Sequence, residues 1–141
     1  NWVVGSNANL PVQSGTLDRV LCLFGFPVYA EFNRVLKPDG QLLQLDAGPD
    51  HLRELREIIY PSLKPERAAD VRDPQGFTCL STATVRYPLQ LFGPEPIADL
   101  LAMTPHLYRA TDERRAQAAK LSALKVTVEV RMTRFGRHAF R

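Results

Sequence analysis

Apolar residues follow three rhythms along the chain, and each rhythm predicts a different element. Residues 20–24, inside "LDRVLCLFG", form a continuous apolar block with the length of a strand buried on both faces of a parallel sheet. From Pro27 the spacing turns helical. Val28, Phe32, Val35 and Leu36 share one face and Glu31, Arg34 and Lys37 the other, with Lys37 placed to close the helix at its negative end. "PDG" predicts a turn and "QLLQL" a second short buried strand. Strand, helix, turn, strand is a βαβ unit, whose right-handed crossover makes the two strands parallel.

The same reading extends to both ends. "NWVV" is a short β-type run closed by the loop residues of "GSNANLP". After "DAGP", Leu52, Leu55, Ile58 and Ile59 form the stripe of an amphipathic helix that Asp50 caps and Pro61 stops. Residues 61–76 carry charge and proline without period and read as a loop. "FTCLSTATVRYPLQL" alternates, with Cys79, Ala83, Val85, Tyr87 and Leu89 offering one face of a half-buried strand. A short helix opening at Pro94 or Pro96 follows, with Ile97, Leu100 and Leu101 as its stripe, then an Ala-rich helix from about Asp112 to Leu124. In "KVTVEVRMTRF", Val126, Val128, Val130 and Met132 alternate with Thr127, Glu129, Arg131 and Thr133, which predicts an antiparallel strand near the edge with one wet face.

Composition narrows the class without choosing a function. A chain of 141 residues, 45% hydrophobic and 23% charged, has the material for one domain, residues 1–141, with its own core. Arg outnumbers Lys, which suits bidentate contacts to phosphate or carboxylate, yet a net charge of +3 fits a solvated basic surface equally well. Cys22 and Cys79 lie far apart in apolar runs, suggesting neither a metal site nor a disulfide framework, and a cytoplasmic setting fits them. No apolar run reaches the ~20 residues needed to span a bilayer, and the N-terminus lacks the features of a signal peptide. The absence of an initiator Met reads as a cut into a longer chain.

Strands that end in loops at one edge of an α/β sheet point to a nucleotide-type crevice. The order short strand, "LP" loop, buried strand opened by "LD", helix, "VLKPDG", strand, helix and closing strand pair resembles the second half of class I S-adenosylmethionine-dependent methyltransferases. "GPDHLRELREIIY" (48–60), "GFTCLSTATVRYPLQL" and "LLAMTPHLYRAT" (100–111), with "MTP..YRA" the most specific, resemble the C-terminal part of bacterial 23S rRNA (guanine-N1)-methyltransferases. The resemblance implies a partial Rossmann-like sheet, parallel strands plus a terminal antiparallel strand, with the first βαβ half missing. In that family the missing part holds a four-cysteine zinc module and the glycine-rich cofactor loop. S-adenosylmethionine is then the cofactor and a ribosomal RNA hairpin the partner, and this chain alone is expected to bind the cofactor weakly or not at all.

The resemblance also assigns residues. It places a cofactor-binding His at His51 of "GP.HL.EL", which the spacing puts in the first turn of a helix, where ring and free N–H groups would meet the cofactor's carboxylate. A surface His capping the turn is the other reading of His51. Asn7, Ala8, Asn9 and Leu10 form the loop that lies against the adenine in similar enzymes, and Leu23 ends the strand beside it. Phe24, Phe26 and Pro27 match an aromatic-x-Pro pattern where the acceptor base meets the methyl group, with Phe26 a departure from that pattern. These aromatics serve equally as core. Asp46 is a candidate for taking the N1 proton, although the family pattern carries a non-acidic residue there, so the catalytic residue stays unassigned. Asp18 reads as structural. His106, Tyr108 and Arg109 lie on a segment suited to a base and a phosphate, and Arg114, Arg115 and Lys120 either extend that surface or form an exposed helix face. Two other readings stand beside this one. One is a small-molecule methyltransferase of the same fold, and the other a non-catalytic interaction module that forms a homodimer through the free apolar edge of residues 20–24.

Overall fold

The computed structural model describes residues 2–62, 72–105 and 107–138. Its elements are β1 (Leu17–Leu23), α1 (Tyr29–Val35), β2 (Leu36–Ala47), α2 (Arg53–Ile59), β3 (Phe77–Phe92), α3 (Pro94–Ala102), a 3-10 turn (Leu107–Arg109), α4 (Asp112–Ala119) and β4 (Ala123–Arg137). One four-stranded sheet has the order β1-β2-β4-β3. β1 pairs parallel to β2, as the βαβ reading requires, and β4 pairs antiparallel to β2. The chain divides into two compact units, residues 1–47, 69–84 and 130–141 in the first and residues 48–68 and 85–129 in the second.

The core of the first unit lies on one face of the sheet. Cys22 of β1, Leu42 of β2 and Phe135 of β4 project to the face that Phe32 of α1 covers, together with Phe77 at the start of β3. Tyr29, Phe77 and Phe135 meet edge to face, with ring centroids 6.0 to 6.5 Å apart, an arrangement that stabilises beyond area burial. Asn33, buried in α1, donates to the Gly76 carbonyl (2.8 Å) and accepts from Arg137 Nε (3.2 Å), so the polar group on the apolar side of the helix is satisfied. In the second unit Leu52, Leu55 and Ile59 pack with Ile97, Leu101, Ala118, Leu124 and Val126. Ile58 and Leu100 are partly buried against that cluster, as their stripes predict.

Several expectations change. Residues 2–4 form no strand, and Trp2 and Val4 are fully exposed, because no described strand lies beside them to pair their backbone. β1 is buried on one face only: Leu21 is 61% and Leu23 55% exposed. The physical reason is that β1 is the outermost strand, and α1, on the other face, is the first unit's only described helix. Lys37 does not close α1. That helix ends at Val35, Leu36 is drawn fully buried into β2, and Lys37 pairs with Asp18 (2.7 Å). "PDG" is an irregularity inside β2 rather than a separate turn, since the register moves from Leu17 opposite Leu36 to Arg19 opposite Gln41.

Asp50 does not cap α2; its carboxylate is taken by Arg53 (3.0 Å) and Arg86 (2.8 Å), and the N-cap position falls to Leu52. Residues 79–88 of β3 are exposed on both faces because β3 is the other outer strand, so Cys79, Ala83, Val85 and Tyr87 do not form a buried side. α4 stops at Ala119 because Leu124 is taken into β4 and buried in the second unit's cluster. β4 lies inside the sheet rather than near its edge, and Glu129 on its supposed wet side is buried. Of the 61–76 loop, residues 63–71 lie outside the described residues.

Neighbouring residues on opposite faces should differ sharply. Leu42→Ala removes a fully buried side chain and is expected to cost about 2–5 kcal/mol. Leu21→Ala, on the open face, is expected to stay within about 0.5 kcal/mol of the parent. Urea denaturation of the two variants measures the contrast, and equal midpoints would contradict the one-sided core.

Candidate functional site

In the first unit the carboxyl end of β1 and the loop before it come together. The Phe24 N–H donates to the Leu45 carbonyl (2.9 Å), extending the β1 to β2 pairing by one residue. Phe24 then adopts a positive φ of 52°, a sparsely populated conformation for an aromatic residue, and turns the chain off the sheet through Gly25, Phe26 and Pro27. Phe24 and Phe26 are both exposed, Phe26 at 91%, which places them outside the core. Asn7 Nδ2 donates to the Phe26 carbonyl (3.1 Å) and so ties this turn to the loop of residues 6–10.

The Glu31 to Arg34 ion pair also fastens that loop. Glu31 Oε1 accepts from the Leu10 N–H (2.7 Å) and pairs with Arg34 (2.6 Å), while Arg34 also donates to the carbonyls of Leu10 (3.0 Å) and Val12 (2.9 Å). The Arg34 guanidinium, with help from the Leu10 N–H, holds the Glu31 carboxyl at about 2, well below its usual 4.5. Between loop and strand lies an open groove of about 400 Å³, lined among others by Asn7, Leu10, Leu21, Leu23, Gly25 and Phe32. Its volume and apolar lining fit part of a small ligand. Its polar rim is largely spent internally, since the Asn9 N–H goes to the Ser6 carbonyl (3.0 Å) and the Ala8 N–H to Ser6 Oγ (3.2 Å).

At the same end of β2, the Tyr29 hydroxyl donates to Gln44 Oε1 (2.9 Å) and Gln44 Nε2 donates to Asp46 Oδ2 (2.7 Å). Burial pushes the Tyr29 phenol and the Cys22 thiol above their ordinary values, which keeps both neutral near pH 7. Asp46 is therefore an acceptor held in place by a neutral relay. No motif marks Tyr29 or Gln44 in the sequence; the one signal is a glutamine within the apolar run "QLLQL".

His51 lies in the second unit, ahead of α2 rather than in its first turn. The N–H groups expected to meet an anion are already used: His51 donates to the Gly48 carbonyl (3.1 Å), Leu52 to Thr127 (2.7 Å) and Arg53 to Asp50 (3.1 Å). The ring is engaged as well, its Nδ1 accepting the Glu129 N–H at 3.2 Å. Burial, reinforced by the nearby Arg56 guanidinium, lowers the His51 pKa against the opposing pull of Glu129. Leu52 sits at φ 51°, and its burial in the core together with its bond to Thr127 offsets that strain.

Tyr108 and Arg109 occupy the 3-10 turn of the second unit, both exposed, while His106 lies outside the described residues. On α4, Arg114 is committed to the Ile58 carbonyl (2.9 Å) and Arg115 to Asp112 (2.5 Å), which leaves Lys120 as the exposed charge nearest the helix end. Among the described residues no three His, Cys, Asp or Glu side chains gather to hold a metal, and no helix is long and apolar enough to cross a membrane.

Against known proteins, no family model matches the chain. It is 29% identical over 133 residues to "Putative 23S rRNA (guanine-N(1)-)-methyltransferase YxjB" of Bacillus subtilis, covering 92% of this chain and 47% of that protein. It is 33% identical over 132 residues to a Micromonospora griseorubida protein with the same description, covering 89% of this chain and 44% of that protein. The chain thus spans about half the length of the curated relatives it matches. A crystal structure described as a putative methyltransferase from Bacillus halodurans superposes with a TM-score of 0.56 at 17% identity, covering 96% of this chain and 70% of that one. The fold is accordingly Rossmann-like α/β, and the resemblance carried by "MTP..YRA" and its companions is borne out by the relatives' names.

Glu31 supplies a pH test of the loop. With a folded pKa of about 2 and an ordinary value of 4.5, its contribution is complete above pH 4.5 and disappears as the pH falls through 2. Urea midpoints of the parent and Glu31→Gln should therefore differ at pH 6 and converge near pH 2. A gap that stays constant across that range would show that the ion pair does not hold the loop.

Proposed function

We propose that this chain forms the C-terminal portion, residues 1–141, of a methyltransferase domain that transfers the methyl group of S-adenosylmethionine to N1 of a guanine in ribosomal RNA. The observation that carries the reading is the 33% identity over 89% of the chain to a protein described as acting on that position. In this reading S-adenosylmethionine supplies an electrophilic methyl group, and the chain's residues bind and orient. Asn7, Ala8, Asn9, Leu10 and Leu23 form the wall for the adenine, chiefly through Leu10 and Leu23, because the backbone N–H groups of Ala8, Asn9 and Leu10 are already paired. His51 serves the cofactor's carboxylate. The exposed Phe24 and Phe26, with Pro27, offer a surface for stacking a guanine lifted out of its helix, and Tyr108 and Arg109 a base and a phosphate contact.

Methyl transfer to N1 needs in-line placement and an acceptor for the N1 proton. Asp46, held by the Gln44 amide, is the group at the strand end with a carboxylate for that purpose. The chain contains no glycine-rich loop, so tight cofactor binding requires a partner segment that supplies one. The setting of such a reaction is the cytoplasm.

The test uses the full-length product of the gene encoding this chain, incubated with labelled S-adenosylmethionine and 23S rRNA. The expected result is label in one guanine, with a block to reverse transcription there, because an N1 methyl removes a pairing position. His51→Ala should weaken cofactor binding about tenfold, the size of one charge-assisted hydrogen bond. Label in small amines or phenols but not in RNA would favour a small-molecule methyltransferase instead.

A further inference from the structure

We infer that Glu129 is the positioning residue for His51, locking its imidazole in the neutral form that carries the proton on Nε2. This rests on the proposed function only for the group that His51 serves; the geometry stands by itself. A backbone N–H donates to Nδ1, so that nitrogen bears no hydrogen, and a neutral imidazole then carries its hydrogen on Nε2. The ring is thereby a donor at Nε2, the polarity that a carboxylate requires and that the opposite tautomer lacks.

Three bonds make Glu129 the holder of this arrangement. Its N–H fixes the ring, its carbonyl accepts the Gly48 N–H (2.8 Å), and its buried carboxylate accepts the Asp50 N–H (2.9 Å). One residue therefore grips the Gly48 to His51 turn at its start, near its end and at the ring itself. Arg86 bridges the Glu129 and Asp50 carboxylates at 3.1 and 2.8 Å, which compensates the buried charge. From α2, Arg56 donates to the Pro49 carbonyl and Arg53 pairs with Asp50, so the turn is also held from the helix side. Gly48 belongs to the same device: a Cβ there would lie 2.6 Å from Glu129 Cγ, too close for the carboxylate to keep its place.

Two readouts test the inference. Nitrogen NMR of the histidine rings in this chain at pH 7.5 should report an unprotonated Nδ1 and a protonated Nε2 for His51. Glu129→Gln, which keeps an acceptor for the Asp50 N–H, should preserve that signature, and Glu129→Ala should replace it with a mixture of tautomers. Should Glu129→Ala fail to fold, Gly48→Ala displaces the same carboxylate without removing a charge and should give the same mixture. A protonated Nδ1 in the parent, or a folded Glu129→Ala or Gly48→Ala with the parent signature, would overturn the inference.

In the full-length protein, Glu129→Ala should raise the KM for S-adenosylmethionine about tenfold with kcat at saturation little changed, whereas general loss of structure would lower kcat. A KM equal to the parent's would overturn the positioning role. If the full-length parent bound no S-adenosylmethionine, the proposed function would fail, while the tautomer result would still decide the role of Glu129 within the turn.

Discussion

The turn that carries His51 depends on how β4 satisfies its backbone after β2 has ended. Through Ala47 opposite Val130, the two strands exchange ordinary antiparallel hydrogen bonds. Beyond that point the chain leaves the strand at Gly48, and the N–H groups of Glu129 and Thr127 meet side chains: His51 Nδ1 at 3.2 Å and Glu54 Oε2 at 2.7 Å. In return the Thr127 carbonyl takes the Leu52 N–H and the Glu129 carbonyl the Gly48 N–H. Two side chains thus stand in for strand carbonyls. Each replaces a bond whose loss would leave a sequestered donor unsatisfied, at a cost of about 1–3 kcal/mol.

This substitution determines what His51 can do. Because its ring is part of the β4 ladder, the ring's plane, tautomer and charge state are set by the fold before any ligand arrives. The structural reading of His51 and the binding reading therefore do not compete, since Nδ1 serves the strand and the proton stays on Nε2. Glu54 shows the same logic with a carboxylate. Burial pushes its pKa up, but the Thr127 hydroxyl and N–H outweigh that and keep it ionised and accepting. In the first unit the Glu31 to Arg34 pair plays the equivalent part, fastening the loop that carries Asn7 to Leu10 onto α1.

Local patterns in the chain were legible and long-range ones were not. The βαβ unit and the stripes of α2 and α3 follow from local spacing, and the structure keeps them, whereas of the expected β4 face only Val126 is buried. What spacing does not carry is a strand's place in the sheet. β4 reads as an edge strand because its polar positions alternate, yet Glu129 is buried, since Arg86 and the Asp50 N–H come to it from distant parts of the chain. β1 reads as doubly buried because residues 20–24 are all apolar, yet its outer position leaves Leu21 and Leu23 open. Of the candidate site, family motifs suggest the residue types. The bonds that orient them are not legible there, because Tyr29, Gln44 and Glu129 belong to no motif and act through partners set by register.

The claim that side chains complete the β4 ladder is tested most directly by amide hydrogen exchange at Thr127 and Glu129. Both amides should exchange as slowly as those of β4 residues bonded to β2 carbonyls, and His51→Ala should release Glu129 while leaving Thr127 protected by Glu54. Fast exchange at both positions in the parent, or slow exchange at Glu129 that survives loss of the imidazole, would contradict the account.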